Sequence, residues 1–333
     1  MMTIRLWHRP LVLLAAAMAA LALASAVGLA VDDRILVGEP IWLKPFKFSL
    51  SIAIYSVTLA WMLSLGRTAP RWVWWLGTTI AAANVIEMVV VVGQVLRGRQ
   101  SHFNVATPLD AGLWFAMAAS IVTLWLANLG IAARLFRERT GDRAATWSVR
   151  LGLLLALVGM AFGFLMTSPT PAQLGAMRSG AAVGIVGAHS VGVADDSPGI
   201  AITGWSSTGG DLRIPHFVGM HALQAIPLFA WLLITLSRRF PRLADERTRL
   251  RLVLVATGTY AGVLAILTWQ ALRGQSLVHP DGATLTAVAL LAVGMVASVV
   301  AVARHHHVPP APHSSAGMTG RPVKPRCTRV AAD

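Results

Sequence analysis

Cysteine is almost absent from this chain. Cys327 stands alone, which excludes an intramolecular disulfide, a CxxC redox pair and a cysteine zinc site. Charge is scarce as well: only 13% of the 333 residues are Asp, Glu, Lys or Arg. A soluble domain carries about a quarter, so much of this surface must face something other than water. Lysine is the rarest cation, since Lys44, Lys47 and Lys324 are the only lysines among 28 basic residues. The sequence also lacks a GxxxxGK[ST] phosphate loop, a GxSxG nucleophile elbow and an HExxH metal pair, the local signatures of several soluble enzyme classes. No segment reads as a soluble catalytic domain.

What is present instead is long apolar runs. A membrane-spanning helix needs roughly 20 apolar residues, and eight segments meet or approach that length: Leu11–Val31, Phe48–Leu65, Trp72–Leu96, Leu109–Leu135, Leu151–Met166, Phe217–Leu236, Leu252–Leu272 and Ala283–Ala303. The fifth is short, ended by Pro169 and Pro171. The first follows Arg5 and Arg9 and contains an Ala-Ser-Ala run, but it exceeds the roughly 7–15 residue core of a signal peptide, so it reads as a retained helix.

The formal net charge is +14, yet the cations lie between spans and report topology rather than a nucleic-acid footprint. With the N-terminus inside, 20 of the 28 Lys and Arg residues fall on the inner side, the bias expected because cations resist translocation. The expectation is an all-α integral membrane bundle of eight transmembrane helices in a bacterial inner membrane, with both termini cytoplasmic. The lipid bilayer is its partner and nucleic acid is not.

The two halves echo one another. Asp32, Asp33 and Trp42 recur 163 residues later as Asp195, Asp196 and Trp205; Pro45 and Trp61 recur 170 later as Pro215 and Trp231. The run Gln94, Leu96, Arg97, Gly98 recurs 176 later as Gln270, Leu272, Arg273, Gly274. An ordered series of polar and Trp matches predicts two parallel four-helix repeats, residues 1–147 and 148–303, a relation seen in some transporters and compatible with fused cofactor-carrying bundles. Residues 167–214 form the longest connection, rich in Gly, Ser and Thr. It reads either as a lid or binding loop, with turns and a short hairpin, or as a disordered crossover. The tail, 304–333, with three successive histidines, reads as disordered.

Candidate chemistry gathers near the outer face. Glu87 lies well inside a span, where a charge costs at least ~2.5 kcal/mol and defaults to a functional role; Asn84, Glu87 and Gln94 share a helix face. Lys47 heads a second stripe with Ser51, Tyr55 and Thr58. Interhelical hydrogen bonding explains such stripes too, and interfacial snorkelling explains Lys44 and Lys47. Arg97 and Arg273 each end a span followed by Gly and a Gln-Ser pair. They offer an outward pocket for an anionic group, unless Asp110 and Asp281 neutralise them. His102, His216, His221 and His279 lie on the outer side, available to haem iron or a metal or simply to interfacial hydrogen bonds.

This layout resembles heme A synthase: eight helices, two four-helix halves, termini inside, histidines near the outer face. The resemblance implies haem as cofactor, with His216 or His221 and His279 as the second-half pair and His102 on the fourth helix of the first half. The sequence departs from that pattern in its second helix, where Phe46 and Ser51 replace the expected histidines. The stretches "SHFN" and "HFVGMHALQ" also resemble those of other bacterial multi-pass membrane proteins, a likeness that implies no activity. Three functions follow as expectations. The chain is a transporter or small-molecule binder working through Glu87, Lys47, Gln94, Arg97, His102 and Arg273, a haem-binding redox or haem-modifying enzyme, or a structural or accessory membrane subunit.

Overall fold

A computed structural model describes residues 7–66 and 70–304. The predicted tail with its histidines, and Cys327, lie outside the described residues. The chain is all-helical: α1 (Arg9–Val31), α2 (Leu43–Ser64), α3 (Arg71–Leu96), α4 (Pro108–Arg137), α5 (Arg143–Met166), the short α6 (Pro171–Arg178), α7 (Arg213–Leu236), α8 (Glu246–Leu272) and α9 (Gly282–Arg304). Eight of these, all but α6, are long and apolar enough to cross a membrane, so this is a multi-pass membrane protein with lipid as its surroundings. Exposed Leu, Val and Trp side chains such as Leu23, Trp75, Leu126 and Leu290 suit that solvent.

Several helices start earlier than the apolar runs. Asp142 and Asp245 cap α5 and α8 by accepting from first-turn amides, which extends each helix through polar residues that hydropathy alone omits. Helix α2 begins at Leu43 with Pro45 in its first turn, where the missing N–H is harmless. Lys44 and Lys47 therefore sit on the helix rather than in the loop before it.

The main contacts are α1 on α2, α3 on α4, α5 on α7 and α8 on both α7 and α9, with α4 against α5. Where α5 crosses α7, a Cβ on Gly159 would lie 2.3 Å from the Gly219 backbone, and one on Gly219 2.4 Å from Gly159. Only two glycines allow so close an approach, as in small-residue membrane crossings. The apolar core joins residues of α1–α5, including Leu11, Leu59, Ile80, Ile131 and Leu153, with Leu223 of α7.

Strict alternation of helix direction gathers the connections into two ends. At one end Arg249 pairs with Asp142 at 2.8 Å and Glu246 accepts from the Arg143 amide. At the other lie residues 32–42, 97–107, 167–212 and 273–281. The long connection there is structured. It carries α6, held by a Thr170/Gln173 capping box, and the strand pair β3 (Ser190–Val191) and β4 (Gly210–Asp211). A second small hairpin pairs β1 (Ile35–Leu36) with β2 (Glu39–Pro40).

Candidate functional site

The turn after α3 dives into the bundle instead of lying on the surface. Ser101, Phe103 and Asn104 are all buried. Asn104 clamps the turn by donating to the Gln100 carbonyl and accepting from the Ala106 amide, both at 3.0 Å. The long connection stitches it from above: Val105 N–H donates to Gly184 O, Val186 N–H to Phe103 O, each at 2.8 Å. Phe103 has φ +62°, a left-handed conformation costly for a bulky side chain. Packing holds it there, with ring centroids of Trp114 at 5.1 Å and His189 at 5.0 Å.

This turn aims His102 inward. Lys44 Nζ donates to His102 Nδ1 at 3.0 Å, and Ser101 Oγ stands 3.1 Å from the same atom. With Nδ1 accepting, the ring proton belongs on Nε2, which faces Glu87 Oε1 at 3.5 Å. That spacing is an electrostatic contact rather than a full hydrogen bond. Glu87 is only 3% exposed, and its second oxygen, Oε2, is buried with no partner among the described residues. Burial, then the neighbouring Lys44 ammonium, holds the His102 imidazole well below the usual histidine range. It is therefore a neutral bridge between a cation and a carboxylate.

A second imidazole lies beside the first, the ring centroids of His102 and His189 being 6.4 Å apart. Asp195 fixes the tautomer of His189: Nδ1–H donates to Oδ2 at 2.8 Å, and the amides of His189 and Ser190 donate to the same carboxylate. Burial lowers the affinity of the His189 ring for a proton, partly offset by Asp195. Burial pushes the Asp195 carboxyl up, but the His189 ring and amide bonds outweigh it and hold it well below the usual range.

An ion network surrounds the pair. Glu39 accepts from Lys47 at 2.9 Å and from Arg213 at 3.2 Å. Arg213 also grips Asp211 and the Gly204 carbonyl, both at 2.6 Å, while Lys47 reaches the Thr203 carbonyl, also at 2.6 Å. Between these groups opens a cavity of about 70 Å³ lined by Glu39, Lys44, Arg99, Ser101, His189 and Arg213, among others. It is on the scale of a few waters or a small polar molecule.

The residues singled out in the sequence divide. Glu87 and His102 meet at the centre, and Lys47 anchors the surrounding network. Gln94 and Arg97 are bound instead to Asp110, at 2.9 and 2.7 Å. Arg273 pairs with Asp281 and lies over Trp269 at 4.3 Å, so both arginines are already held by carboxylates. His216 donates to the Gly159 carbonyl at 2.8 Å across the α5–α7 crossing. His221 contacts Gln224 and the edge of Phe217, and His279 sits exposed against the Ser207 carbonyl. Among the described residues no three His, Cys, Asp or Glu side chains converge on a metal position.

Lys44 as a site residue, Glu39, His189, Asp195 and Arg213 were not marked by sequence reasoning. The one available signal was the rarity of lysine, because two of three fall within one turn of α2. Compared with known proteins, the chain matches no family model, no curated protein and no solved structure.

Proposed function

We propose that this chain is a bacterial inner-membrane transporter, or at minimum a binder, of a small polar molecule, which enters the pocket at the end we read as outward-facing. The observation that carries the reading is Glu87. It is a carboxylate inside a span with one oxygen unpartnered among the described residues, linked through His102 to Lys44, which lines the cavity. A residue that only packed would be expected to have both oxygens satisfied. We read the segment 198–207, tied through the Thr203 carbonyl to Lys47 and through the Gly204 carbonyl to the cavity-lining Arg213, as a lid.

The duplication supports the same reading. Arg97–Asp110 and Arg273–Asp281 recur as ion pairs, Gly98 and Gly274 both adopt positive φ, and α1 packs on α2 as α5 packs on α7. Parallel repeats with a polar site near their junction are a transporter arrangement. The cation bias supports an outward-facing junction and cytoplasmic termini.

A thermal-shift screen of the detergent-purified chain against small polar metabolites, repeated on Lys44→Met, tests the reading. Compounds that raise the wild-type midpoint and lose their effect in Lys44→Met support it, and uptake of such a compound into proteoliposomes makes the chain a transporter. A wild-type protein that no compound stabilises, or equal stabilisation of the variant, refutes it.

A further inference from the structure

We propose that the pocket takes a small carboxylate on the Lys44 ammonium and that one proton enters with it to neutralise Glu87. This rests on the binding function proposed above and names its ligand class.

The groups left over at the pocket are donors. Lys44 has three N–H bonds and its only hydrogen-bond acceptor among the described residues is His102 Nδ1. Arg99 lines the same cavity, and its guanidinium makes no hydrogen bond or ion pair among the described residues. The acids nearby are committed: Glu39 to Lys47 and Arg213, Asp211 to Arg213, Asp195 to His189 and two amides. A ligand that brings acceptor oxygens fits this surplus of donors, and a carboxylate suits both an ammonium and a guanidinium.

Charge balance then requires the proton. Lys44, Arg99, Arg213, Glu39 and Asp195 line the pocket, and Lys47, Glu87 and Asp211 stand behind it through Glu39, His102 and Arg213, so the cluster holds four cations against four anions. An entering carboxylate makes the site net negative in a half-dry environment, where an uncompensated charge is expensive. Of the four acids only Glu87 has an oxygen without a partner among the described residues. The charged or titratable groups acting on it are Lys44 from α2 and His102 from the turn. Lys44 in turn feels Glu39, Lys47 and Arg213, and His102 feels His189 and His216. The route is the imidazole. Nδ1 takes a proton from the Lys44 side as Nε2–H passes to Glu87 Oε1, and pocket water restores the ammonium. One proton leaves solution, one carboxylate becomes a carboxylic acid, and no electrons move.

Calorimetric titration of the detergent-purified full chain with sodium acetate and with sodium octanoate tests this, run in two buffers of different ionisation enthalpy with acetamide as the uncharged control. Expected is saturable carboxylate binding, none for acetamide, uptake of close to one proton, and affinity that weakens by about tenfold per pH unit once Glu87 ionises in the free protein. Preference for acetate places the ligand's source in water; preference for octanoate places it in the bilayer. Glu87→Gln should bind without proton uptake and without pH dependence. Lys44→Met should lose binding while still melting cooperatively, and Lys44→Arg should retain part of it. Carboxylate binding with no proton uptake, or uptake unchanged in Glu87→Gln, overturns the proposal. So does binding of a neutral molecule alone, which leaves the pocket itself standing. A chain that binds no small molecule brings down the parent reading instead.

Discussion

The Nε2 atom of His102 stands 3.5 Å from Oε1 of Glu87, although one belongs to a turn and the other lies ten residues inside α3, measured from Arg97. The helix does not rise to meet the surface; the turn descends, steered by Phe103 in its left-handed conformation and by the strand-like pairing with residues 184–186. The carboxylate thereby gains a polar neighbour without any charged residue entering the apolar interior from the lipid side.

If Lys44, His102 and Glu87 act as one unit, removing either charge alone strands the other. Lys44→Met and Glu87→Gln should each cost about 1–3 kcal/mol, the usual range for a buried polar group left unpaired. The double variant should cost less than the sum, by about 0.5–3 kcal/mol. Thermal or denaturant unfolding in detergent measures the cycle, and strict additivity would falsify the coupling.

Acid should loosen the polar end. Both His102 and His189 bind protons less readily folded than unfolded, so below the ordinary histidine value of about 6.5 the unfolded chain takes up more protons and stability falls as pH drops. The melting midpoint should therefore decline from about pH 7 to pH 5. His102→Gln and His189→Gln should each flatten part of that decline; slopes identical to wild type would show that neither imidazole is responsible.

Gly204 is a sensitive point of the segment 198–207. Its φ is +66°, and a Cβ built there would fall 1.7 Å from Glu39 Oε1, overlapping the carboxylate that ties Lys47 to Arg213. Gly204→Ala should dislodge the segment and speed amide exchange at residues 203–206, while Gly258→Ala, which has open space around it, should leave exchange there unchanged. Equal exchange in the two variants would mean that Glu39 does not hold the segment.

The single cysteine offers a direct check on orientation. A membrane-impermeant maleimide applied to intact cells should leave Cys327 unlabelled and should label it in inverted vesicles. Thr208→Cys in a Cys327→Ser background should show the reverse, since Thr208 is exposed at the site end. Labelling of Cys327 in intact cells would invert the assigned topology.

The eight spans were legible because lipid demands long apolar runs, and Glu87 because a carboxylate inside such a run has few inert explanations. Asp110 and Asp281 were named as neutralisers of the two arginines, and both do pair with them. The rest of the site was not legible for a physical reason: it is assembled by contacts between distant residues. Lys47 meets Thr203 across 156 positions and Arg213 meets Glu39 across 174. Each of those residues, taken alone, reads as an interfacial anchor or a loop polar group. His189 carries no local signal at all, since its role depends on Asp195 six residues later and on a turn that arrives from the other half of the chain. The first turns of α2 and α7 lie outside the apolar runs because hydropathy ignores polar residues, and those turns present Lys44, Arg213 and His216, with Lys47 just beyond.

The ties at Thr203 and Gly204 have a thermal consequence. Both are carbonyl oxygens resting on cations, Lys47 and Arg213, so parting them uncovers groups that water hydrates at once. Heat-capacity change follows mainly the apolar surface exposed, and breaking these two contacts exposes almost none. Parting these two contacts alone is therefore nearly silent in calorimetry yet responsive to ionic strength, because salt screens charged contacts close to water, while the lipid-embedded helices beneath them remain indifferent to salt.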